Sequence, residues 1–137
     1  MNLEDKTAVA ELLARSAYGL DMKDLTLLES CFSAEANFSL AIEGVEEVSK
    51  FSGRDEIMGL FKGALDAQTD ERKHVISNIW YREEGEDAAT VVSYLTLFAT
   101  ENGLTNLITT GLYTDGVAKV GTEWKVVDRD LRLDRPY

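Results

Sequence analysis

The stretch Lys73-His-Val-Ile-Ser-Asn-Ile-Trp-Tyr-Arg-Glu83 marks the point where the hydrophobic pattern changes from a helical period to strict alternation. Three further runs rich in β-branched and aromatic residues follow, at 87–100, 104–117 and 122–133. Turn-forming segments separate these runs, and Asn102-Gly103 among them is a strong signal for a tight hairpin. The second half of the chain is therefore predicted to form an antiparallel meander of strands.

Amphipathic helices are predicted before this meander. Apolar residues at spacings of three and four form one stripe over residues 4–20, and a shorter helix is expected over 24–32. A strand is predicted at 35–44. Ser52-Gly-Arg-Asp55 has the pattern of an acidic capping box, which would begin a third helix that extends to about Gln68.

Helices followed by a meander predict one α+β domain over residues 1–137, with N-terminal helices packed on a curved, mainly antiparallel sheet. When a curved sheet is longer than the helices that cover it, its open end forms an apolar pocket, which is a common geometry for ligand sites. The polar residues expected to face this pocket are Asp21, His74, Asn78, Tyr94, Tyr113, Arg129 and Arg132.

Charge and cysteine content exclude several classes of function. The 137 residues include 14 Lys and Arg against 25 Asp and Glu, giving a net charge of −11, so nucleic acid is not an expected partner. With one cysteine, Cys31, and one histidine, neither an internal disulfide nor the usual zinc spacings are possible. The acidic N-terminal stretch and the lack of a long apolar run predict a cytoplasmic protein without a membrane span.

His74 is the first candidate for acid–base chemistry, because histidine is the residue type suited to proton exchange near neutral pH. Alternation along its strand places it on one face with Ile76, Asn78 and Trp80. A histidine and an amide are costly to bury on an apolar face unless they are hydrogen-bonded. The pattern fits a catalytic histidine and a hydrogen-bonded structural histidine equally well.

Asp21 is the candidate partner of His74. It ends the first helix, where the helix dipole disfavours a carboxylate that lacks a cationic partner. Beside His74 it would fix the tautomer and orientation of the ring, as in known acid–base dyads. However, Asp is also a preferred N-cap residue, and Asp24 lies three residues further on. Spacing alone favours Asp21 as a cap of the second helix.

The late arginines and the tyrosines are weaker candidates. Arg129 and Arg132 lie among acids in the last strand, which favours surface ion pairs, although one arginine facing the pocket could stabilise an oxyanion. Tyr94 and Tyr113 are more typical of core aromatics with a hydrogen-bonded hydroxyl. The sequence contains no dinucleotide turn, phosphate loop, nucleophile elbow or metal-ligand cluster, so neither a cofactor nor a metal is expected.

Several segments also match a known family in their order and spacing. They are Tyr18-Gly-Leu-Asp21-Met-Lys-Asp24-Leu-Thr-Leu-Leu28 with Cys31-Phe32, Phe51-Ser-Gly-Arg-Asp-Glu-Ile57, Arg72-Lys-His74-Val-Ile-Ser-Asn78, Gly111-Leu-Tyr113-Thr-Asp115 and Glu123-Trp-Lys-Val126. Together they resemble the SnoaL-like members of the NTF2-like superfamily, in the branch that contains scytalone dehydratase, bile-acid 7α-dehydratase and hexachlorocyclohexane dehydrochlorinase. The resemblance implies a cone-shaped, cystatin-like α+β fold.

The resemblance further implies a catalytic dyad of Asp21 and His74, which reverses the preference for Asp21 as a helix cap. The histidine would take a proton from carbon, and water or another leaving group would depart without a cofactor. The chain departs from the family pattern at Leu20, where scytalone dehydratase-like chains have a tyrosine, and Tyr18 would lie on another helix face. The remaining pocket candidates, Asn78, Tyr94, Tyr113, Arg129 and Arg132, are the expected substrate-binding residues.

The expected function is a dehydratase-type lyase for a small, apolar, ring-containing molecule; isomerisation or retro-aldol cleavage would use the same dyad. The alternative is a non-catalytic ligand-binding or subunit-interaction domain, similar to the small subunits of ring-hydroxylating dioxygenases. That alternative predicts either a pocket collapsed by aromatics such as Phe38, Trp80 and Phe98 or a broad apolar outer sheet face that serves assembly. In both cases, the outer sheet face is expected to be covered by another copy in a homodimer or homotrimer.

Overall fold

The computed structural model describes residues 1–137 as three helices and six strands. In chain order they are α1 (Leu3–Asp21), α2 (Leu25–Ser30), β1 (Phe32–Ile42), β2 (Ser49–Ser52), α3 (Arg54–Ala67), β3 (Glu71–Glu84), β4 (Ala88–Glu101), β5 (Leu104–Val120) and β6 (Glu123–Leu133). The predicted helices and the four-strand meander are present. The sequence pattern does not predict β2, because its four residues are mostly exposed and too few to show an alternation.

The helices begin in different ways. At α1, the Asn2 side chain accepts a hydrogen bond from the Asp5 backbone N–H, and the Asp5 carboxylate accepts one from the Asn2 N–H, which forms a capping box. The capping box predicted at the start of α3 is wrong. Gly53 is the N-cap of that helix and has no side chain to offer, and its φ of +89° is one that glycine adopts without strain.

The six strands form one curved, unclosed sheet in the order β2-β1-β6-β5-β4-β3. Four of the five strand pairings are antiparallel, and β1 runs parallel to β6. The predicted α+β class with a mainly antiparallel sheet is therefore confirmed. Because β1 lies beside β6, the N-terminal helices are brought over the strands of the meander.

The core lies between the helices and one face of the sheet. Leu12 and Leu13 of α1 and Ile57 of α3 belong to the same buried cluster as Val91 and Leu95 of β4. The odd-numbered residues of β4 are buried from Ala89 to Ala99, while its even-numbered residues are partly or largely exposed. The sheet therefore has an inner face under the helices and an outer face without a covering element. No helix is long and apolar enough to cross a membrane.

A β-bulge interrupts β3 shortly after its start. Ser77 pairs with Tyr94 and Trp80 pairs with Val92, so three steps along β3 match two along β4. Asn78 lies in this bulge with a φ of +56°, and it is exposed. The prediction that simple alternation keeps Asn78 and Trp80 on the face of His74 is wrong, because the extra residue shifts the alternation.

Candidate functional site

The open end of the curved sheet holds a cavity of about 400 Å³. Its walls come from 21 residues, of which 16 are hydrophobic, and they belong to all three helices, to five of the strands and to the C-terminal residue Tyr137. This volume falls within the range of small-molecule sites, about 300–1,000 Å³. The predicted apolar pocket is therefore present, and it can hold a molecule of one or two rings.

His74 and Asp21 contact each other at the wall of this cavity. The His74 Nδ1 lies 2.5 Å from the Asp21 Oδ1, and the His74 backbone N–H donates to the Asp21 Oδ2 at 2.9 Å. Both side chains are largely shielded from solvent, and His74 lines the cavity. One carboxylate thus holds the histidine at two points, through its ring and through its backbone.

The turn after α1 puts Asp21 in this position. Lys23 adopts a φ of +57° and reverses the chain, and the Asp24 N–H donates to the Gly19 carbonyl at 2.8 Å. Asp24 then caps α2, since its side chain accepts from the Leu27 N–H at 3.1 Å. The interpretation of Asp21 as the cap of α2 is therefore wrong, and its carboxylate is left for His74.

This geometry selects one tautomer of His74. An ionised carboxylate only accepts hydrogen bonds, so the Nδ1 must carry the proton in the contact with Asp21. In the neutral ring, the Nε2 then has a free lone pair, and no protein group hydrogen-bonds to it. The arrangement can accept a proton from a molecule in the cavity.

A buried ion pair forms another part of the wall. Arg129 binds Asp115 through two parallel contacts, Nε to Oδ1 at 2.8 Å and Nη2 to Oδ2 at 3.1 Å. The guanidinium also lies over the Tyr113 ring, 4.4 Å from its centroid. Arg129 and Tyr113 line the cavity, whereas Asp115 lies behind them. The predicted pocket positions of Arg129 and Tyr113 therefore agree with the structure.

Burial sets the protonation of this group. Burial raises the pKa of the Tyr113 hydroxyl to about 12, which keeps it a hydrogen-bond donor at neutral pH. Burial alone would lower the pKa of Arg129, but the Asp115 carboxylate raises it above its ordinary value. Burial also raises the pKa of the Asp115 carboxyl, while Arg129 acts in the opposite direction. The wall therefore offers a cationic donor and a neutral hydroxyl.

Three predicted site residues lie outside the cavity. Asn78 is exposed in the β3 bulge, Tyr94 is 53% exposed on the outer face of β4, and the Arg132 side chain is 73% exposed. Alternation along β6 explains the last case, because Arg129, Leu131 and Leu133 line the cavity and Arg132 must point away. The expectation that these three residues face the pocket is wrong.

Other polar groups line the cavity without having been predicted. They are Ser16, Gln68 and Arg72, together with the terminal Tyr137. The position of Arg72 has a signal in the sequence, since it stands two residues before His74 and alternation gives both the same face. Leu20 lines the cavity and Tyr18 is exposed, in agreement with the expectation for these two residues.

Solved structures of the same fold come from several bacteria. A protein of unknown function with a cystatin-like fold from Nostoc punctiforme is 25% identical, with a TM-score of 0.82 over 98% of this chain and 94% of its own. A provisionally assigned scytalone dehydratase from Novosphingobium aromaticivorans is 26% identical, with a TM-score of 0.81 over 96% of this chain and 85% of its own.

A third neighbour is the beta subunit of a provisionally assigned aromatic-ring-hydroxylating dioxygenase from the same Novosphingobium strain. It is 16% identical, with a TM-score of 0.81 over 96% of this chain and 90% of its own, a similarity that shows the fold alone. Comparison with curated proteins by sequence finds no significant match. The SnoaL-like domain family matches residues 1–130, which is nearly the whole sequence, and the chain therefore belongs to that family.

Proposed function

We propose that this protein is a cofactor-independent lyase that eliminates water, or a similar leaving group, from a small ring-containing molecule. The observation that carries the proposal is the His74–Asp21 pair, held by two hydrogen bonds at the wall of an apolar cavity of about 400 Å³. The similarity to a provisionally assigned scytalone dehydratase at 26% identity agrees with this reaction class.

In the proposed reaction, His74 acts first as a base and then as an acid. Its Nε2 takes a proton from a substrate carbon, and the electrons of that C–H bond form a carbon–carbon double bond. The bond from the neighbouring carbon to the hydroxyl oxygen breaks, and the proton on His74 passes to the departing oxygen to give water. Asp21 stabilises the charged ring between these steps and holds its orientation.

Arg129 and Tyr113 are the proposed stabilisers of negative charge. When a proton leaves a carbon next to a carbonyl group, charge develops on the carbonyl oxygen, and fixed donors in a dry site favour that state. Arg129 is fixed by Asp115, and its Nη1 makes no hydrogen bond to protein. Tyr113 supplies a neutral hydroxyl beside it. Both groups line the cavity that His74 lines.

The alternative, a non-catalytic binding or subunit domain, receives less support from the site. Its first form predicts a cavity filled by aromatic rings, yet Trp80 is exposed, Phe98 lies on the outer face of β4, and of the three only Phe38 contributes to the cavity wall. Its second form, an apolar outer face used for assembly, is compatible with an open cavity on the inner face. A purely structural histidine would also have no need to line an open apolar cavity.

The test is a screen of aromatic and alicyclic alcohols with the wild-type protein, His74→Ala and Asp21→Asn. We expect His74→Ala to lower kcat/KM by about 10²–10⁴-fold. Asp21→Asn should lower it by on the order of 10²-fold, because the amide no longer enforces the tautomer. Product analysis separates elimination from isomerisation and from retro-aldol cleavage.

Asp24→Asn is the matched control for this experiment. It makes the same chemical change three residues away, at a carboxylate that caps α2, and Asn caps helices about as well as Asp. Activity should stay within about twofold of wild type. Turnover that survives unchanged in His74→Ala would remove His74 from the mechanism and with it the proposed function.

A further inference from the structure

The three basic side chains that line the cavity share one arrangement. His74, Arg72 and Arg129 face the cavity, and each is paired with an aspartate that does not line it. The partners are Asp21 at 2.5 Å, Asp70 at 2.9 Å and Asp115 at 2.8 Å. The cavity wall therefore offers two guanidinium donors, the Nε2 acceptor of His74 and no carboxylate side chain, which suits a ligand rich in oxygen acceptors. The proposed reaction uses His74 as the base and Arg129 as a donor, and it leaves Arg72 without a role.

Two hydrogen bonds to Asp70 hold the Arg72 guanidinium in one orientation. Its Nε donates to the Asp70 Oδ1 at 2.9 Å and its Nη2 to the Asp70 Oδ2 at 3.4 Å. The amide of Gln68 donates to the Asp70 carbonyl at 2.8 Å, which ties the pair to the end of α3. Since the carboxylate occupies one edge of the guanidinium, the Nη1 is left without a protein partner.

The Asp130–Arg132 pair has the same sequence spacing as Asp70–Arg72 but lies on the surface, so it serves as a comparison. Asp130 and Arg132 are also two residues apart on a strand, but their closest atoms are 3.8 Å apart, and the Arg132 side chain is 73% exposed. In contrast, the side chains of Arg72 and Asp70 are only 19% and 15% exposed. The Arg72 pair is thus closer, doubly bonded and turned into the cavity wall.

The position of Arg72 relative to His74 defines what it can bind. Two residues along a strand correspond to about 7 Å, and both side chains face the cavity. A ring held against the Nε2 of His74 therefore extends towards the guanidinium. An oxygen on that side of the ring would accept a hydrogen bond from a cation whose orientation is already set.

We propose that Arg72 is a specificity-determining residue that binds a second oxygen of the substrate, remote from the bond that breaks. The substrate class is then a ring molecule with oxygen acceptors at both ends, one for Arg129 and Tyr113 and one for Arg72. The acceptor is a neutral carbonyl or hydroxyl oxygen, because each arginine is already neutralised by its aspartate in a chain of net charge −11. This inference rests on the proposed function for the identity of the site.

The direct test measures binding in the absence of turnover, in a His74→Ala background. The probes are decalindione, with a carbonyl group on each ring, and decalone, with one. Calorimetric titration should show the diketone binding about 10- to 10²-fold more tightly than the monoketone, as expected for a hydrogen bond to a charged group. Adding Arg72→Met should abolish that preference, whereas adding Arg132→Met, at the exposed pair on the outer face, should preserve it.

Two further variants distinguish binding from a structural role. Arg72→Lys keeps the charge but loses the planar fork, so it should recover part of the preference. Asp70→Asn combined with Arg72→Met leaves no unpaired carboxylate. This variant should bind decalindione and decalone equally, with the weak affinity that the His74→Ala protein has for decalone. Circular dichroism verifies that each variant is folded.

The kinetic readout uses whichever substrate the screen identifies. Arg72→Met in the otherwise wild-type protein should raise KM for a substrate with two acceptors about tenfold or more and change kcat by less than about threefold. A preference for decalindione that persists in Arg72→Met, or no preference in the His74→Ala protein, would overturn the proposal for Arg72. Because this binding test needs no turnover, its result is separate from the test of His74 as the base.

Discussion

The Asp115–Arg129 pair places two opposite charges in the interior of the protein. The Asp115 side chain is fully buried and that of Arg129 nearly so, so both charges have lost their hydration. Two parallel hydrogen bonds and the rings of Tyr113 and Phe32 replace part of that hydration. A buried pair of this kind contributes little net stability, yet removal of one partner is expensive. We therefore infer that the role of the pair is to present the Arg129 guanidinium to the cavity as a hydrogen-bond donor.

The stability of variants tests this interpretation. Asp115→Leu should lower the free energy of unfolding by about 3–5 kcal/mol, because it leaves the Arg129 charge buried without a partner. The double variant with Asp115→Leu and Arg129→Met should recover most of the lost stability, and it should be inactive because the Arg129 donor is gone. Urea denaturation measures both, with Arg132→Met as an exposed control that should change stability by less than about 0.5 kcal/mol. A double variant no more stable than Asp115→Leu would contradict the prediction.

The sequence predicts some of these residues because the chain offers few choices. His74 follows from being the only histidine, and the family resemblance points to Asp21 as its partner. The choice between Arg129 and Arg132 depends on strand register, which a single sequence does not determine when both residues have acidic neighbours. Alternation places Arg72 on the face of His74, but the sequence does not reveal its pairing with Asp70, which lies in the short segment before β3, outside any alternating pattern.

At the scale of elements, the bulge in β3 divides that strand into two parts. The part before the bulge lines the cavity, and the part after it does not. Before the bulge, Arg72 and His74 face the cavity; after it, Ile79 and Trp80 are exposed. Asn78 makes this change of direction possible, since its φ of +56° lies in the left-handed region that Asn tolerates better than most residues.

Substitutions at Asn78 test the role of this conformation. Asn78→Ala should reduce the free energy of unfolding by about 1 kcal/mol, because a β-carbon without a compensating polar group is strained in the left-handed region. Asn78→Gly, as the matched control, should remain within about 0.5 kcal/mol of wild type. Both variants should retain activity, since Asn78 is outside the cavity. Equal stability of the Ala and Gly variants would argue against backbone strain at this position.

Local pattern predicts most of the elements but not how all of them pair. The stripe in α1 and the hairpin signal at Asn102-Gly103 are local, and the helix and the β4–β5 hairpin follow from them. The pairing of β1 with β6 joins residues about ninety positions apart, and β2 exists only because β1 offers it an edge. Such long-range pairings leave no periodic signal in the sequence, so the parallel pair was not predicted.

At the scale of the whole molecule, charge is distributed unevenly over the sheet. The chain has 39 charged residues by composition, 14 basic and 25 acidic, yet none lies between Ala88 and Thr100 or between Leu104 and Thr114. These segments form most of β4 and β5, two adjacent interior strands of the sheet. On their outer face, Tyr94 is exposed beside Leu112, and no helix covers it. An uncharged, partly apolar face of this extent is typical of a protein–protein contact.

We propose that a second copy of the chain covers this face. Two copies that each carry a net charge of −11 repel one another, so the least charged face is where they approach at the lowest electrostatic cost. Analytical ultracentrifugation at micromolar concentration should show a dimer or trimer for the wild type. Tyr94→Glu should shift it to monomer, because it would bury a carboxylate at the centre of the contact, whereas Val48→Glu, at an exposed apolar residue before β2, should not. A wild-type protein that remains monomeric under these conditions would contradict the assignment of this face.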